Sequence, residues 1–250
     1  MKNKIFHTQD LCLRTNLRCA KDSARMEIYM KKQGIIFDMD GTLWDSAANV
    51  AESWNVAIAK FNEAELENGT ATIDRKITTE DMYNVMGKTM DVIAEILFPE
   101  VTGEKREKLL ELCCIVENDY LRGHGGKLYP KIRETVEKLK ENYHVYIVSN
   151  CQSGYIEAFL FAHKLEKYFS DFEMSGRTNL TKGENIKLVM ERNGIDKAMY
   201  LGDTIGDQLA AKDAEIPFVF ASYGFGTTEN PEYTISSFNE LPKVAEKILG

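Results

Sequence analysis

The chain begins its ordered pattern with a short apolar run, Gly34-Ile35-Ile36-Phe37, that stops abruptly at Asp38. Uninterrupted apolar residues rich in branched and aromatic side chains read as a buried strand over 34–37. The pattern then turns helical. Val50, Trp54, Ile58 and Phe61 recur at spacings of four, four and three, which puts them on one helical face. Thr78 and Asp81 have the spacing of a capping box, opening a helix that stops at Gly87. A further helix over 89–98 ends before Pro99, and another over 104–121 carries Leu109, Cys113, Val116 and Tyr120 before Gly123, Gly125 and Gly126. Roughly 75 residues with a helical period and no strand predict a small inserted bundle.

From Tyr129 the pattern alternates. Helices are predicted over 131–142, 154–165, 182–193 and 206–214, and strands over 144–148, 198–201 and 216–220. Strands separated by helices imply a parallel sheet covered on both faces. The predicted fold is therefore α/β, a Rossmann-like parallel-sheet core with an inserted helical-bundle cap. The expected division is an extension over 1–29, a core over 30–46 and 123–250, and a cap over 47–122.

Charge changes this picture at one end only. Residues 1–29 hold six Lys/Arg and three Asp/Glu, which leaves the other 221 residues at −11 within a total of −8. An acidic chain lacks the basic footprint of a nucleic-acid binder. No apolar run nears the roughly 20 residues of a membrane span. The first 29 residues contain no apolar core of a secretory signal and are expected to be a dispensable tail, with Met30 a candidate start. Five cysteines without C-x-x-C spacing suggest neither a zinc site nor a disulfide framework, so a cytoplasmic, reducing location is expected. Cys113 and Cys114 are expected as core fillers.

Ligands of parallel α/β sheets bind at the carboxyl ends of the strands, which directs attention to four strand or helix ends. The first is Asp38-Met39-Asp40-Gly41-Thr42-Leu43. In extended backbone Asp38 and Asp40 project to one side, roughly 6–7 Å apart along the chain. Like charges so placed repel unless a cation neutralises them or one is protonated. A divalent cation such as Mg2+ would leave one aspartate as nucleophile and the other as proton shuttle. An ordinary Asx turn followed by Asp-Gly is the competing reading. The second is Ser149-Asn150, either a turn or an anion cradle of hydroxyl and backbone amides. The third is Lys182, at the first turn of a helix capped by Thr181 and Glu184. A cation there opposes the helix dipole and is either exposed or directed at an anion. The fourth is Gly202-Asp203 with Asp207 four residues on, where Asp203 is an N-cap or part of a carboxylate site.

Taken together these residues resemble the haloacid dehalogenase superfamily of phosphohydrolases. D-x-D-G-T-[LV] after a strand, S/T-N after a second, a lysine before a helix and G-D-x-x-x-D after a third occur in that family's order, across about residues 33 to 245. The run Ala221-Ser222-Tyr223-Gly224-Phe225-Gly226 is similar to phosphoglycolate-phosphatase-like members. The resemblance implies hydrolysis of a small phosphorylated metabolite through an aspartyl-phosphate on Asp38, with Asp40 as general acid and then base. It implies Mg2+ held by Asp38, the Asp40 main-chain carbonyl and Asp203, supported by Asp207. The phosphoryl group would be bound by Ser149, Lys182 and the amides around Gly41, Thr42 and Asn150. Lys182-Gly183 departs from the Lys-Pro of many relatives. The second aspartate disfavours dehalogenase and phosphonatase activity. Sugar-phosphate mutase, pyrophosphatase and a non-catalytic binding module remain alternatives. Lys88, between two cap helices, is either a solvated loop lysine or the ligand of a second negative charge on the substrate.

Overall fold

Asp38, Ser149 and Asp203 stand at one edge of a six-stranded sheet because three central strands end in register. The computed structural model describes residues 32–250 apart from residue 71. The predicted extension over 1–29, Cys12, Cys19 and the candidate start at Met30 lie outside the described residues. Residues 33–250 form one compact unit.

In chain order the elements are β1 (Gln33–Phe37), β2 (Trp44–Asp45), α1 (Ala47–Glu67), α2 (Thr79–Val85), α3 (Met90–Leu97) and α4 (Gly103–His124). There follow β3 (Lys127–Leu128), α5 (Ile132–Leu139), β4 (His144–Ser149), α6 (Tyr155–His163), β5 (Asp171–Met174) and α7 (Ser175–Thr178). The chain continues through α8 (Lys182–Asn193), β6 (Lys197–Gly202), α9 (Ile205–Asp213), β7 (Phe218–Ala221), β8 (Tyr233–Ile235) and α10 (Leu241–Leu249). The large sheet has the order β5-β4-β1-β6-β7-β8, and every neighbouring pair is parallel. Chain direction across the sheet reverses at β1, with β4 on one side and β6 on the other. That is the switch point where α/β sheets open a crevice.

Alternation along β1 sorts the core into two layers, because successive side chains point to opposite faces. Ile35 and Phe37 belong to the larger apolar cluster, with Ile132 and Val136 of α5 and Leu241 and Ala245 of α10. Ile36 belongs to the other, with Ile186 and Val189 of α8 and Ala210 and Ala211 of α9. Helices therefore cover both faces, as the sequence pattern predicts.

The four helices α1–α4 lie between β2 and β3, and those two short strands pair antiparallel, Trp44 with Leu128 and Asp45 with Lys127. Val50, Trp54, Ile58 and Phe61 are all buried, and the Trp54 ring stacks on Phe98 with centroids 6.0 Å apart. Both capping boxes form. Thr78 and Asp81 exchange their bonds at the start of α2, and Thr181 and Glu184 do so at the start of α8.

Some boundaries differ from those expected. Helix α4 runs through Gly123 to His124, and the chain leaves it at Gly125, whose φ of 66° suits a residue without Cβ. The strand predicted over 216–220 begins at Phe218 instead, since Pro217 has no N–H and only its carbonyl is used, accepting from Tyr200 N at 2.9 Å. Strands β5 and β8 and the β2–β3 pair were not predicted. They are short, and β5 carries Asp171 and Glu173, which ion-pair with Arg192, so no apolar run marks them. Cys113 is a core filler as expected, while Cys114 is only half-buried.

Candidate active site

The register of the sheet assembles the site. Phe37 is level with Ile147 on β4 and Leu201 on β6, and Asp38 N donates to Leu201 O at 2.9 Å. Asp38 is thus clamped beside Gly202-Asp203. Oxygens of Asp38, Asp203 and Asp207 all lie within 4.8 Å of one another, and all three residues are buried. Lys182 joins them from the start of α8. Its Nζ donates to Asp38 Oδ1 at 2.9 Å and to Asp207 Oδ1 at 2.6 Å. Its 6% exposure decides between the two sequence readings, because the lysine points into the carboxylate group and not to solvent.

Asp207 performs two tasks with its two oxygens. Oδ2 accepts from the Thr204 N–H and hydroxyl, closing a capping box at the start of α9, and Oδ1 accepts from Lys182. The N-cap is therefore Thr204, not Asp203. Asp203 Oδ2 accepts from the Phe225 and Gly226 amides at 3.1 and 2.9 Å, which gives the Ala221–Gly226 run a structural role. Space around Asp203 is tight. A Cβ on Gly41, which has φ +82°, would lie 2.2 Å from Asp203 Oδ2, and one on Gly224 would lie 2.4 Å from Asp203 Cβ. Glycine is required at both places for the turn to close on the carboxylate.

Electrostatics show what the group lacks. Burial, then Asp207, push the Asp38 carboxyl well above the usual range, against the pull of Lys182. Burial and then Asp207 push Asp203 up to about 7. Burial disfavours the charge of Lys182, but Asp207 and Asp38 outweigh it, and its pKa is raised. One ammonium cannot neutralise three buried carboxylates. Asp203 Oδ1 is moreover buried with no hydrogen-bond partner. An orphaned carboxylate oxygen in an all-oxygen donor set fits a hard divalent cation.

Asp40 is held separately. Ser46 Oγ donates to Asp40 Oδ1 at 2.6 Å and Tyr155 OH donates to the same oxygen at 2.8 Å. Its carboxylate is thus outside the three-aspartate group. Burial raises its pKa, and the Ser46 and Tyr155 bonds oppose that rise.

A cavity of about 40 Å³ opens between the sheet edge and the inserted helices. Asp38, Asp40, Ser149, Asn150 and Lys88 are among its lining residues. Gly41, Thr42, Lys182, Asp203 and Asp207 are not. Thr42 is fully buried and its carbonyl accepts from Tyr223 OH at 2.9 Å. The Asn150 side chain spans the gap, donating to Gly87 O at 2.9 Å, and Tyr83 OH donates to Asp45 Oδ2 at 2.8 Å. These two bonds tie α2 and the loop after it to the sheet side. Gly183 explains the departure from Lys-Pro locally. A Cβ there would lie 2.9 Å from Asp213 Cβ, so glycine lets α8 pack against α9 while Lys182 keeps its place.

Ser46, Tyr155 and Glu117 escape the sequence reading. Tyr155 is 115 residues from the aspartate it binds, so no local spacing could reveal it. Glu117 lies four residues after Cys113 on the buried stripe of α4, and an acid on an apolar stripe is a usable signal.

A parallel α/β sheet whose switch point holds an aspartate–lysine centre, with helices inserted after the first strand, defines a class of strand-end hydrolase folds. The chain belongs to the haloacid dehalogenase-like hydrolase family, whose pattern it matches over residues 35–221. It is 26% identical over 231 residues to a phosphoglycolate phosphatase of Vibrio parahaemolyticus, covering 84% of this chain and 94% of that one. A phosphoglycolate phosphatase of Haemophilus influenzae is 26% identical over 226 residues, covering 82% and 94%. Among solved structures, a predicted phosphoglycolate phosphatase from Haemophilus somnus superposes with a TM-score of 0.71 at 20% identity, covering 86% of this chain and 99% of that one. A mutant of CbbY from Rhodobacter sphaeroides in complex with xylulose-1,5-bisphosphate superposes with a TM-score of 0.63 at 17% identity, covering 85% and 96%. Among the described residues no helix is long and apolar enough to cross a membrane.

Proposed function

We propose that the protein is a Mg2+-dependent phosphatase that hydrolyses a small phosphate monoester through an aspartyl-phosphate on Asp38. The observation that carries this reading is the convergence of Asp38, Asp203 and Asp207 within 4.8 Å, with Lys182 bonded to two of them. Phosphoryl transfer asks mainly for positioning and for neutralisation of charge on the phosphoryl oxygens. Mg2+, held by Asp38, the Asp40 carbonyl and Asp203 with Asp207 in support, would supply Lewis-acid neutralisation of that charge. The phosphoglycolate phosphatases to which the chain is similar support a small monoester as substrate.

In this mechanism an Asp38 carboxylate oxygen attacks phosphorus. The bond from phosphorus to the ester oxygen breaks, and Asp40 gives its proton to the departing alcohol. Water then attacks the phosphorus of the aspartyl-phosphate, Asp40 takes the water proton, and inorganic phosphate leaves with Asp38 restored. Lys182 holds charge against Asp38, while Ser149 and the Asn150 amide bind phosphoryl oxygens. Helices α1–α4 act as a cap that keeps bulk water away.

Phosphate release from a panel of small monoesters tests the reading. Release is expected to stop in a metal chelator and to return with Mg2+. Release that ignores the chelator would remove the metal from the mechanism, and none from any ester would remove the phosphatase reading.

Tyr155 offers a finer test. Both it and Ser46 donate to Asp40 Oδ1, leaving Oδ2 free of these donors for proton transfer. Tyr155→Phe is expected to lower kcat about tenfold, or ~1.4 kcal/mol in the barrier, with KM little changed. An unchanged kcat would show that the phenol does not orient the acid.

A further inference from the structure

The cavity beside Asp38 and Asp40 contains one acid that the mechanism does not use. Glu117 of α4 lines it and is 3% exposed. The apolar part of the cavity lining includes Val50, Met82, Val85 and Ile93, and Gln152 also lines it. Trp54 Nε1 donates to Glu117 Oε2 at 2.6 Å, and among the described residues no cation pairs with it. Lys88 lines the same cavity but is exposed to solvent, where its charge is screened. Burial pushes the Glu117 carboxyl up to about 8, against the bonds from Trp54 and Gln152. A buried acid held by an indole and a glutamine amide, with no counter-ion, is a poor structural element, since an apolar residue would pack there without its desolvation cost. It becomes useful when a ligand supplies a further donor to the carboxyl.

Resting on the phosphatase reading, the geometry points to Glu117 as the residue that reads the leaving alcohol, selecting phosphate esters of short alcohols that carry a further hydroxyl or amino donor over esters that carry a carboxylate. With the phosphoryl group at Asp38, the alcohol extends into the cavity that Glu117 closes. An O–H or N–H donor there adds to the bonds from Trp54 and Gln152, since a carboxylate has about four acceptor sites. A carboxylate would bring a second negative charge into a site that already holds Asp40. Even a protonated Glu117 offers it only one donor. The volume of about 40 Å³ restricts the choice to short chains.

The test compares kcat/KM of the Mg2+-loaded full chain on glycerol phosphate, ethanolamine phosphate, ethyl phosphate and phosphoglycolate. Calorimetric binding of the same four esters to Asp38→Asn is measured alongside, so that recognition is read without turnover. Above about pH 8, where Glu117 is ionised, the wild type is expected to favour the two donor-bearing esters over ethyl phosphate by about 10- to 100-fold, the span of one charge-assisted hydrogen bond. Phosphoglycolate is expected to fall below both. Glu117→Leu should bring the ratios to ethyl phosphate near one. Glu117→Gln, which keeps an acceptor for Trp54, should lower the ethanolamine ester more than the glycerol ester, and thermal melts verify that both variants fold. The inference is overturned if phosphoglycolate is preferred and only Lys88→Ala weakens it, or if the ratios survive Glu117→Leu. Donor selectivity in binding without hydrolysis would uphold Glu117 and sink the phosphatase reading alone; hydrolysis without selectivity would do the reverse.

Discussion

Asp38→Asn is expected to abolish phosphate release, by about four orders of magnitude or more, the scale on which removal of a nucleophile acts. The fold is expected to survive and the metal-free protein to be no less stable. In the folded state the ionised Asp38 is disfavoured, first by burial and then by Asp207. Asparagine keeps the shape and removes that charge. It gives up the Asp38 half of the Lys182 bridge, but Lys182 keeps Asp207 at 2.6 Å. Phosphate release by quench assay and a thermal melt of the same sample check both halves. Substantial residual turnover would mean that another group attacks phosphorus; a collapsed fold would mean that the Asp38–Lys182 pair is chiefly structural.

The second large effect is on stability. Lys182→Met is expected to destabilise the metal-free protein by about 3 kcal/mol or more, the usual consequence of removing one partner from a buried ion pair. Asp38, Asp203 and Asp207 would be left together with no positive charge among them. For a chain of this size that corresponds to a Tm lower by roughly 6–12 °C. The loss depends on pH. Acids whose folded pKa values are raised, as Asp38 and Asp203 are, cost nothing while protonated in both states. Their cost appears as pH rises above the unfolded value near 3.8 and grows until the folded value is passed. The deficit of Lys182→Met is therefore smaller at pH 5 than at pH 8, and Mg2+ should recover part of it at pH 8. Melts at both pH values, with and without the cation, settle the matter. An unchanged Tm would show that the lysine does not hold the carboxylates together.

Parts of this site were legible in the chain because they are local. The apolar run before Asp38 makes a buried strand whatever surrounds it, and the Gly41-Thr42 turn follows from residue type. The capping boxes at Thr78 and Thr181 depend on three-residue spacings and form as read. The alternation after Tyr129 yields the sheet, and the ligand rule for such sheets turns its strand ends into candidates. Lys182 marks the limit. Its spacing puts it in a first helical turn, where exposure to solvent is as reasonable as direction toward a bound anion.

Other features depend on residues far apart in sequence. Tyr155 reaches Asp40 across 115 positions and Trp54 reaches Glu117 across 63. The edge strand β5 is polar in sequence because its acids face Arg192. The Phe225 and Gly226 amides hold Asp203 only because β6 and β7 are neighbours.

The sequence by itself determined which residues could carry chemistry and which strand and helix ends present them, since periodicity, capping and turn preference act over a few residues. Only the tertiary structure decided which of them meet. Burial and charge balance are properties of the assembled neighbourhood: packing α8 against β4 and β5 and α9 against β6 and β7 crowds three carboxylates around one ammonium, and packing α4 over the cavity leaves Glu117 without a counter-ion.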